Sequence, residues 1–175
     1  MFLNSSYASS ASQPSHPAVR EARITTMHII IIGGSAVGQT LAAQLDTTYN
    51  EVTFIDEDEY IVESATEDGL TATAIDDIRD IVSADMLDVD LTSIVVVASA
   101  RDSVNLLLAQ LIRNRFDVGR LIVRVNEPQN HSVFADLGID AIYSTHVLAA
   151  ALAEAVQTIP ESDTYDQDLQ QEEWV

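Results

Sequence analysis

The residues with the most informative types and spacing are Gly33-Gly34-Ser35-Ala36-Val37-Gly38 and, 18 residues after Gly38, Asp56. The first group follows a β-branched run, His28 to Ile32, and precedes an apolar-periodic stretch that begins near Ala36. Glycines spaced G-x-G-x-x-G between a strand and a helix make a tight turn, let the backbone approach a pyrophosphate, and allow close helix–strand packing. Peptide N–H groups of the first helical turn then offer partial positive charge to the phosphates. A carboxylate ending the next strand accepts hydrogen bonds from ribose hydroxyls, and Asp56 is placed for that role. Its charge disfavours a 2′-phosphate, so NAD(H) is expected in preference to NADP(H). The second glycine of the pattern is replaced by Ser35, whose Cβ and hydroxyl stand where the backbone would come closest to phosphate. A glycine-rich turn in an empty domain of the same fold is the alternative.

These residues need a scaffold that brings strand ends together, and the rest of the chain supplies its pattern. Helices are expected over about 36–46, 59–66, 77–87, 102–115, 129–136 and 146–158. Strands are expected at 28–32, 51–55, 70–74, 94–98, 121–125 and 140–143. Runs such as Ile94-Val95-Val96-Val97 have no polar alternation, which marks strands covered on both faces. Six strand–helix units in succession predict an α/β fold: a Rossmann-like, doubly wound parallel sheet of about six strands, order 3-2-1-4-5-6, with helices on both faces.

Residues 1–26 are rich in Ser and Ala and read as a flexible leader, with Met27 a second candidate start. They lack the basic start and apolar stretch of a secretory signal. Residues 27–159 form the expected domain, and 160–175 an acidic tail. The final helix is apolar over more than one face; one side is expected to pack on the domain and the surplus to meet a partner.

The chain has 175 residues, with 28 acidic against 8 basic ones and a net charge of -20, yet 47% of it is hydrophobic. A single folded core with an acidic surface follows. With -6 on the tail and +1 on the leader, -15 of that charge belongs to residues 27–159. All eight basic residues are arginine. Such a surface repels nucleic-acid phosphates, and the absence of lysine excludes P-loop NTPases and receiver domains. The composition suits a cytosol at molar salt, where the Debye length falls to about 3 Å and self-repulsion is screened. An ordinary acidic protein from a low-salt organism is the alternative. There is no cysteine, hence no disulfide or thiol chemistry, and no apolar run long enough to span a bilayer. His16, His28, His131 and His146 lack metal-like spacing, and no serine has the context of a catalytic triad.

From Met27 to about Val156 the chain resembles the TrkA-N domain, also called the RCK domain, of regulatory subunits of Trk-type potassium uptake systems. The segments that carry the resemblance are MHIIIIGGSAVGQTLAAQL, VTFIDEDE, IVVVASARDSVNLLLAQLIR and LIVRVNEPQNHSVFADLGIDAIYS. The resemblance places the phosphate loop on Gly33–Gly38 and the ribose carboxylate on Asp56. It puts adenine-side contacts near Asp76 and Asp77, where the family's glycine is missing, and ligand-bordering backbone at Ala98 and Ser99. Arg124 corresponds to a family arginine; a structural ion pair is the equal alternative. Ala36 stands where the family often carries an arginine that meets terminal phosphates, which tilts the choice to NAD(H) with ATP or ADP second. The resemblance further implies a cytoplasmic, non-catalytic subunit that pairs as a dimer or ring of dimers and acts on a separate potassium-translocating membrane subunit. The final helix corresponds to a region that helps pair two domains. The chain would be a minimal version, without the C-terminal ligand-binding domain of many members. An NAD-dependent oxidoreductase and a ligand-free assembly scaffold are the competing readings; the former lacks a substrate domain.

Overall fold

A computed structural model describes residues 27–49, 51–82, 87–137 and 139–158. The expected leader (1–26) and tail (160–175) lie outside the described residues. The elements run β1 (His28–Ile32), α1 (Ala36–Asp46), β2 (Glu51–Asp56), α2 (Glu59–Glu67), β3 (Thr71–Ala74), a 3-10 helix (Ile78–Val82) and β4 (Ile94–Val97). They continue with α3 (Asp102–Arg115), β5 (Arg120–Val125), a 3-10 turn (Pro128–Asn130), α4 (His131–Asp136), β6 (Asp140–Tyr143) and α5 (Ser144–Gln157). All five strand pairings are parallel, and the order is β3-β2-β1-β4-β5-β6. The Rossmann-like doubly wound sheet read from the strand–helix alternation is therefore the observed fold.

Alternation along each strand divides the core into two layers. Ile29, Ile31, Val52 and Phe54 face α1 and α2, where Ala42, Val62 and Ala65 meet them. Ile30, Ile32, Val95, Val97 and Val123 face the 3-10 helix, α3 and Phe134 of α4. Central strand β1 is buried on both sides, with Ile29 to Ile32 no more than 2% exposed. This is why its sequence shows no alternation.

Two expectations change. The helix expected over 77–87 is a 3-10 helix over Ile78–Val82, followed by extended chain from Leu87, with 83–86 outside the described residues. The local reason is Asp77, whose carboxylate accepts the Arg79 N–H at 2.9 Å and starts a tight turn. Ile78 and Ile81, three apart, then lie on one face of a three-residue turn and are both buried. The last helix also differs: α5 has no buried residue, whereas one side was expected to pack on the domain. It leaves β6 without a loop, tied at its root by Ser144 Oγ to the Val125 carbonyl (3.1 Å) and Thr145 Oγ1 to the Asn126 carbonyl (2.9 Å).

Neighbouring leucines of α3 test this layering. Leu108 is fully buried and Leu107 is 40% exposed. Leu108→Ala is expected to cost about 2 to 5 kcal/mol, and Leu107→Ala less than about 1 kcal/mol, measured by chemical denaturation in KCl. Equal costs would contradict the assignment of the α3 faces.

Candidate nucleotide site

The sheet reverses its winding between β1 and β4, so the crevice for a ligand opens at the carboxyl ends of these two strands. The loop from β1 into α1 forms its floor. Gly33 and Gly34 take φ of 72° and 101°, values that side-chain-bearing residues rarely adopt. A Cβ on Gly38 would lie 2.3 Å from the Gly33 carbonyl oxygen and 2.7 Å from the Phe54 ring. The third glycine of the pattern thus permits α1 to press on the loop and on β2, as its position in the sequence implies.

Ser35, in place of the second glycine, has φ 46° and ψ -124° and is the non-glycine residue with positive φ among those described. It is held there by Asp56. That carboxylate is 4% exposed, and it accepts the Ser35 N–H at 2.7 Å and the Asp58 N–H at 3.0 Å. Asp56 thereby fixes the glycine loop to the end of β2. The Ser35 amide is accordingly engaged within the protein, and an anion would be met by other first-turn amides of α1. That turn has no side-chain cap and no acidic residue. By contrast α2 is capped by Asp58, which accepts the N–H groups of Tyr60 and Ile61. Of α1 and α2, the uncapped one begins in the loop that forms the crevice floor.

The other wall comes from the end of β4. Ala98 is fixed by its N–H to the Ile32 carbonyl (2.8 Å), and a Cβ on Gly34 would approach the Ala98 Cβ to 3.1 Å. A Cβ on Gly33 would lie 3.3 Å from the Ser99 backbone nitrogen, so Ala98 and Ser99 both border the loop. Arg124, on β5, reaches back over this wall and donates from Nη1 to the Ala98 carbonyl at 3.3 Å. Its Nε is buried without a partner, and no ion pair to it occurs among the described residues. A structural ion pair is thus not what Arg124 makes here. Asp77 and Asp76 sit beyond β3. Asp76 is exposed, and Asp77 is engaged by Arg79, with Nε to Oδ1 at 2.8 Å and a second contact from Nη2. The Arg79 guanidinium pulls the Asp77 carboxyl down to about 2.

Three polar residues of the site were not singled out from the sequence as site residues. Asn105 on α3 is fully buried and donates to the Ser99 and Arg124 carbonyls at 2.7 and 2.9 Å, joining the ends of β4 and β5. Asp102 receives Asn126 N–H (2.8 Å), Glu127 N–H (3.0 Å) and Asn130 Nδ2 (2.8 Å). Burial works to raise its carboxyl, but donors from Asn130, Asn126 and Glu127 outweigh it and hold it below the ordinary value. Glu57 accepts the Ile78 N–H at 2.9 Å and pairs with Arg101 at 2.9 Å. The available signal was a polar residue inside an apolar helical stripe for Asn105; for Asp102 and Glu57 there was none, because acidic residues are everywhere in this chain.

The model of the TrkA-N domain matches residues 29–145. The chain is 29% identical over 134 residues to the Trk system potassium uptake protein TrkA homolog of Methanothermobacter thermautotrophicus, covering 77% of this chain and 62% of that protein. It is 29% identical over 141 residues to the Trk system potassium uptake protein TrkA of Mycobacterium tuberculosis, covering 76% of this chain and 60% of that one. This chain thus spans about three fifths of the length of these curated relatives. Among solved structures, the NAD(P)-binding domain of an exopolyphosphatase-related protein from Archaeoglobus fulgidus superposes with a TM-score of 0.63 at 24% identity, covering 73% of this chain and 96% of that one. The GsuK channel bound to NAD gives 0.58 at 20% identity, over 77% of this chain and 24% of the channel. At these identities the likeness is one of fold.

The loop geometry has a measurable sign. A non-glycine residue at positive φ costs about 1 to 3 kcal/mol, and glycine gives back part of that through its unfolded-state entropy. Ser35→Gly is expected to stabilise the domain by about 1 kcal/mol in chemical denaturation, while Gly38→Ala destabilises it by about 1 to 3 kcal/mol. A Ser35→Gly variant less stable than the parent would show that the serine side chain contributes more than its backbone costs.

Proposed function

This chain belongs to the TrkA-N domain family, and on that footing we propose that it is a nucleotide-responsive, non-catalytic regulatory subunit of a potassium transport system. NAD(H) is the proposed ligand, with ATP or ADP second. The observation that carries this is the Asp56–Ser35 tie, which presents an uncapped helix start and a β2-end carboxylate together at the switch point of the sheet. In this reading the pyrophosphate rests on Gly33–Gly38, with Gly34, Ser35, Ala36 and Val37 supplying backbone. The free lone pairs of Asp56 take the ribose hydroxyls, and Ala98 and Ser99 line the opposite wall. Arg124 supplies positive charge, and Asp76 and Asp77 border the adenine side. Binding of NAD(H) to residues 27–159 would then bias the arrangement of paired domains, through different affinity for two assembly states.

Pairing is assigned to α5. Leu148, Leu152 and Val156 recur every four residues and are 62%, 59% and 68% exposed, with Val147 beside them at 58%. An apolar stripe of this kind on a helix that covers nothing of its own domain is suited to a second copy. The paired domains would act from the cytoplasmic side on a membrane-embedded potassium-translocating subunit. No helix among the described residues is long and apolar enough to cross a membrane. A ligand-free scaffold is the second reading, favoured by the engaged Ser35 amide. An oxidoreductase would need an acid–base group beside the nicotinamide, for which nothing at the site speaks.

Calorimetric titration with NADH, ATP and ADP decides between the first two. NADH is expected to bind, with affinity that rises from low salt as KCl screens the -20 charge. Arg124→Gln is expected to weaken it about tenfold, the value of one charge-assisted hydrogen bond. No heat with any of the three would favour the scaffold, and NADH turnover with a small carbonyl compound would favour the enzyme. Light scattering tests the pairing: Leu148→Glu with Leu152→Glu is expected to halve the mass and to lower the denaturation midpoint by no more than pairing contributes at that concentration. A parent chain that is monomeric at micromolar concentration would remove α5 as the pairing helix.

A further inference from the structure

The crevice has two walls on its adenosine side, one from the end of β2 (Asp56–Asp58) and one from the end of β4 (Ala98–Arg101). A single side-chain pair joins their tips: Arg101 Nη2 donates to Glu57 Oε2 at 2.9 Å across 44 residues of sequence. The other Glu57 oxygen accepts the Ile78 N–H at 2.9 Å. Glu57 therefore binds three structures at once, the end of β2, the start of the 3-10 helix and the residue that precedes α3. Asp56, its neighbour in sequence, is turned inward to the phosphate loop. The two consecutive acids thus hold the base and the rim of the same crevice.

We propose that the Glu57–Arg101 pair is a strap across the adenosine half of the crevice, which a nucleotide must open before its base can lie between the two walls. The inference rests on the nucleotide reading above and adds to it two positioning residues, neither needed by the glycine pattern. The strength of the strap follows from its exposure. The two side chains are 55% and 35% accessible, and an exposed ion pair is weak and screened by salt. It holds the rim in dilute buffer and yields to a ligand or to KCl. Salt then helps binding twice, by relieving the repulsion between an acidic protein and an anionic ligand and by loosening the strap. Arg101 is also one of three arginines at this end of the sheet, with Arg79 and Arg124. Arg79 is engaged by Asp77, so the strap and that pair leave Arg124, which donates to the Ala98 carbonyl, as the one of the three without a carboxylate partner among the described residues.

Charge-neutral variants separate the strap from net charge. Glu57→Gln with Arg101→Gln keeps the total at -20. It is expected to bind NADH about two- to fivefold more tightly than the parent at low ionic strength and equally in molar KCl. The reversed pair, Glu57→Arg with Arg101→Glu, is expected to return to the parental affinity. Equal affinity of parent and double-glutamine variant at low salt, or weaker binding by the variant, overturns the strap. A ligand-free arm uses the absence of cysteine in the chain. Glu57→Cys with Arg101→Cys is expected to be linked by a short bis-maleimide, and the linked full-length chain to lose NADH binding that the unlinked variant retains. Failure to link shows that the two tips do not lie side by side, which overturns the strap whatever the chain binds. NADH binding by the linked chain shows that the nucleotide passes elsewhere. Linking without binding of NADH, ATP or ADP by the parent overturns the nucleotide reading, and the strap's ligand with it.

Discussion

The buried carboxylate of Asp56 is the constraint from which the site is organised. A charge this far from solvent has to be met by donors, and the nearest come from the backbone of the loop after β1 and from the turn before α2. Satisfying it forces Ser35 to a positive φ and points the first turn of α1 along the crevice. The close contact of Gly38 with Phe54 and the Gly33 carbonyl then seats the helix on the sheet. Removing either contact frees the loop from the strand that carries the carboxylate, so the glycine loop and the end of β2 are one mechanical unit.

The sheet itself was legible because its signals are of the kind that burial writes. A strand covered on both faces must be apolar throughout, and β1 from Ile29 onward and all of β4 are. A helix on one face must repeat near 3.6, and α3 does, with Val104, Leu108 and Ile112 inward. Where local chemistry competes with periodicity, the sequence misled. Ile78, Ile81 and Val82 fit a helix as well as a 3-10 turn, and the side chain of Asp77 decides for the turn. In α5 the apolar pattern says only that something covers the helix, and the domain does not. At the site, the glycines and Asp56 were readable as a pattern, whereas the engagement of the Ser35 amide depends on the chain's return from β2 and has no local mark. Arg101 and Glu57 are 44 positions apart, and nothing in either segment announces the other.

Charge is distributed with a bias that the totals conceal. The described arginines divide between the two ends of the sheet. Arg113, Arg115 and Arg120 lie at the amino end, where Arg120 meets Asp140 and Arg113 meets the Leu137 carbonyl. Arg79, Arg101 and Arg124 lie at the carboxyl end, which is also where the amides of α1 emerge. With so few cations on an acidic surface, half of those described stand beside the one crevice suited to an anion. The acidity is therefore a background against which local potential at the crevice is set by a handful of guanidinium groups and by which carboxylates hold them.

Helix α5 separates two quantities that are one in most domains. Its 14 residues bury nothing, so no free energy of the sheet is spent in keeping it helical and none is returned to the sheet when it melts. The helicity of α5 and the integrity of the core are thus independent variables as long as the helix is uncovered. Backbone ellipticity and the burial of Phe54 or Phe134 would follow different denaturation curves, and the chain would fail the coincidence test of two-state unfolding. Covering the helix would merge the two curves, so cooperativity here is a property of the assembly.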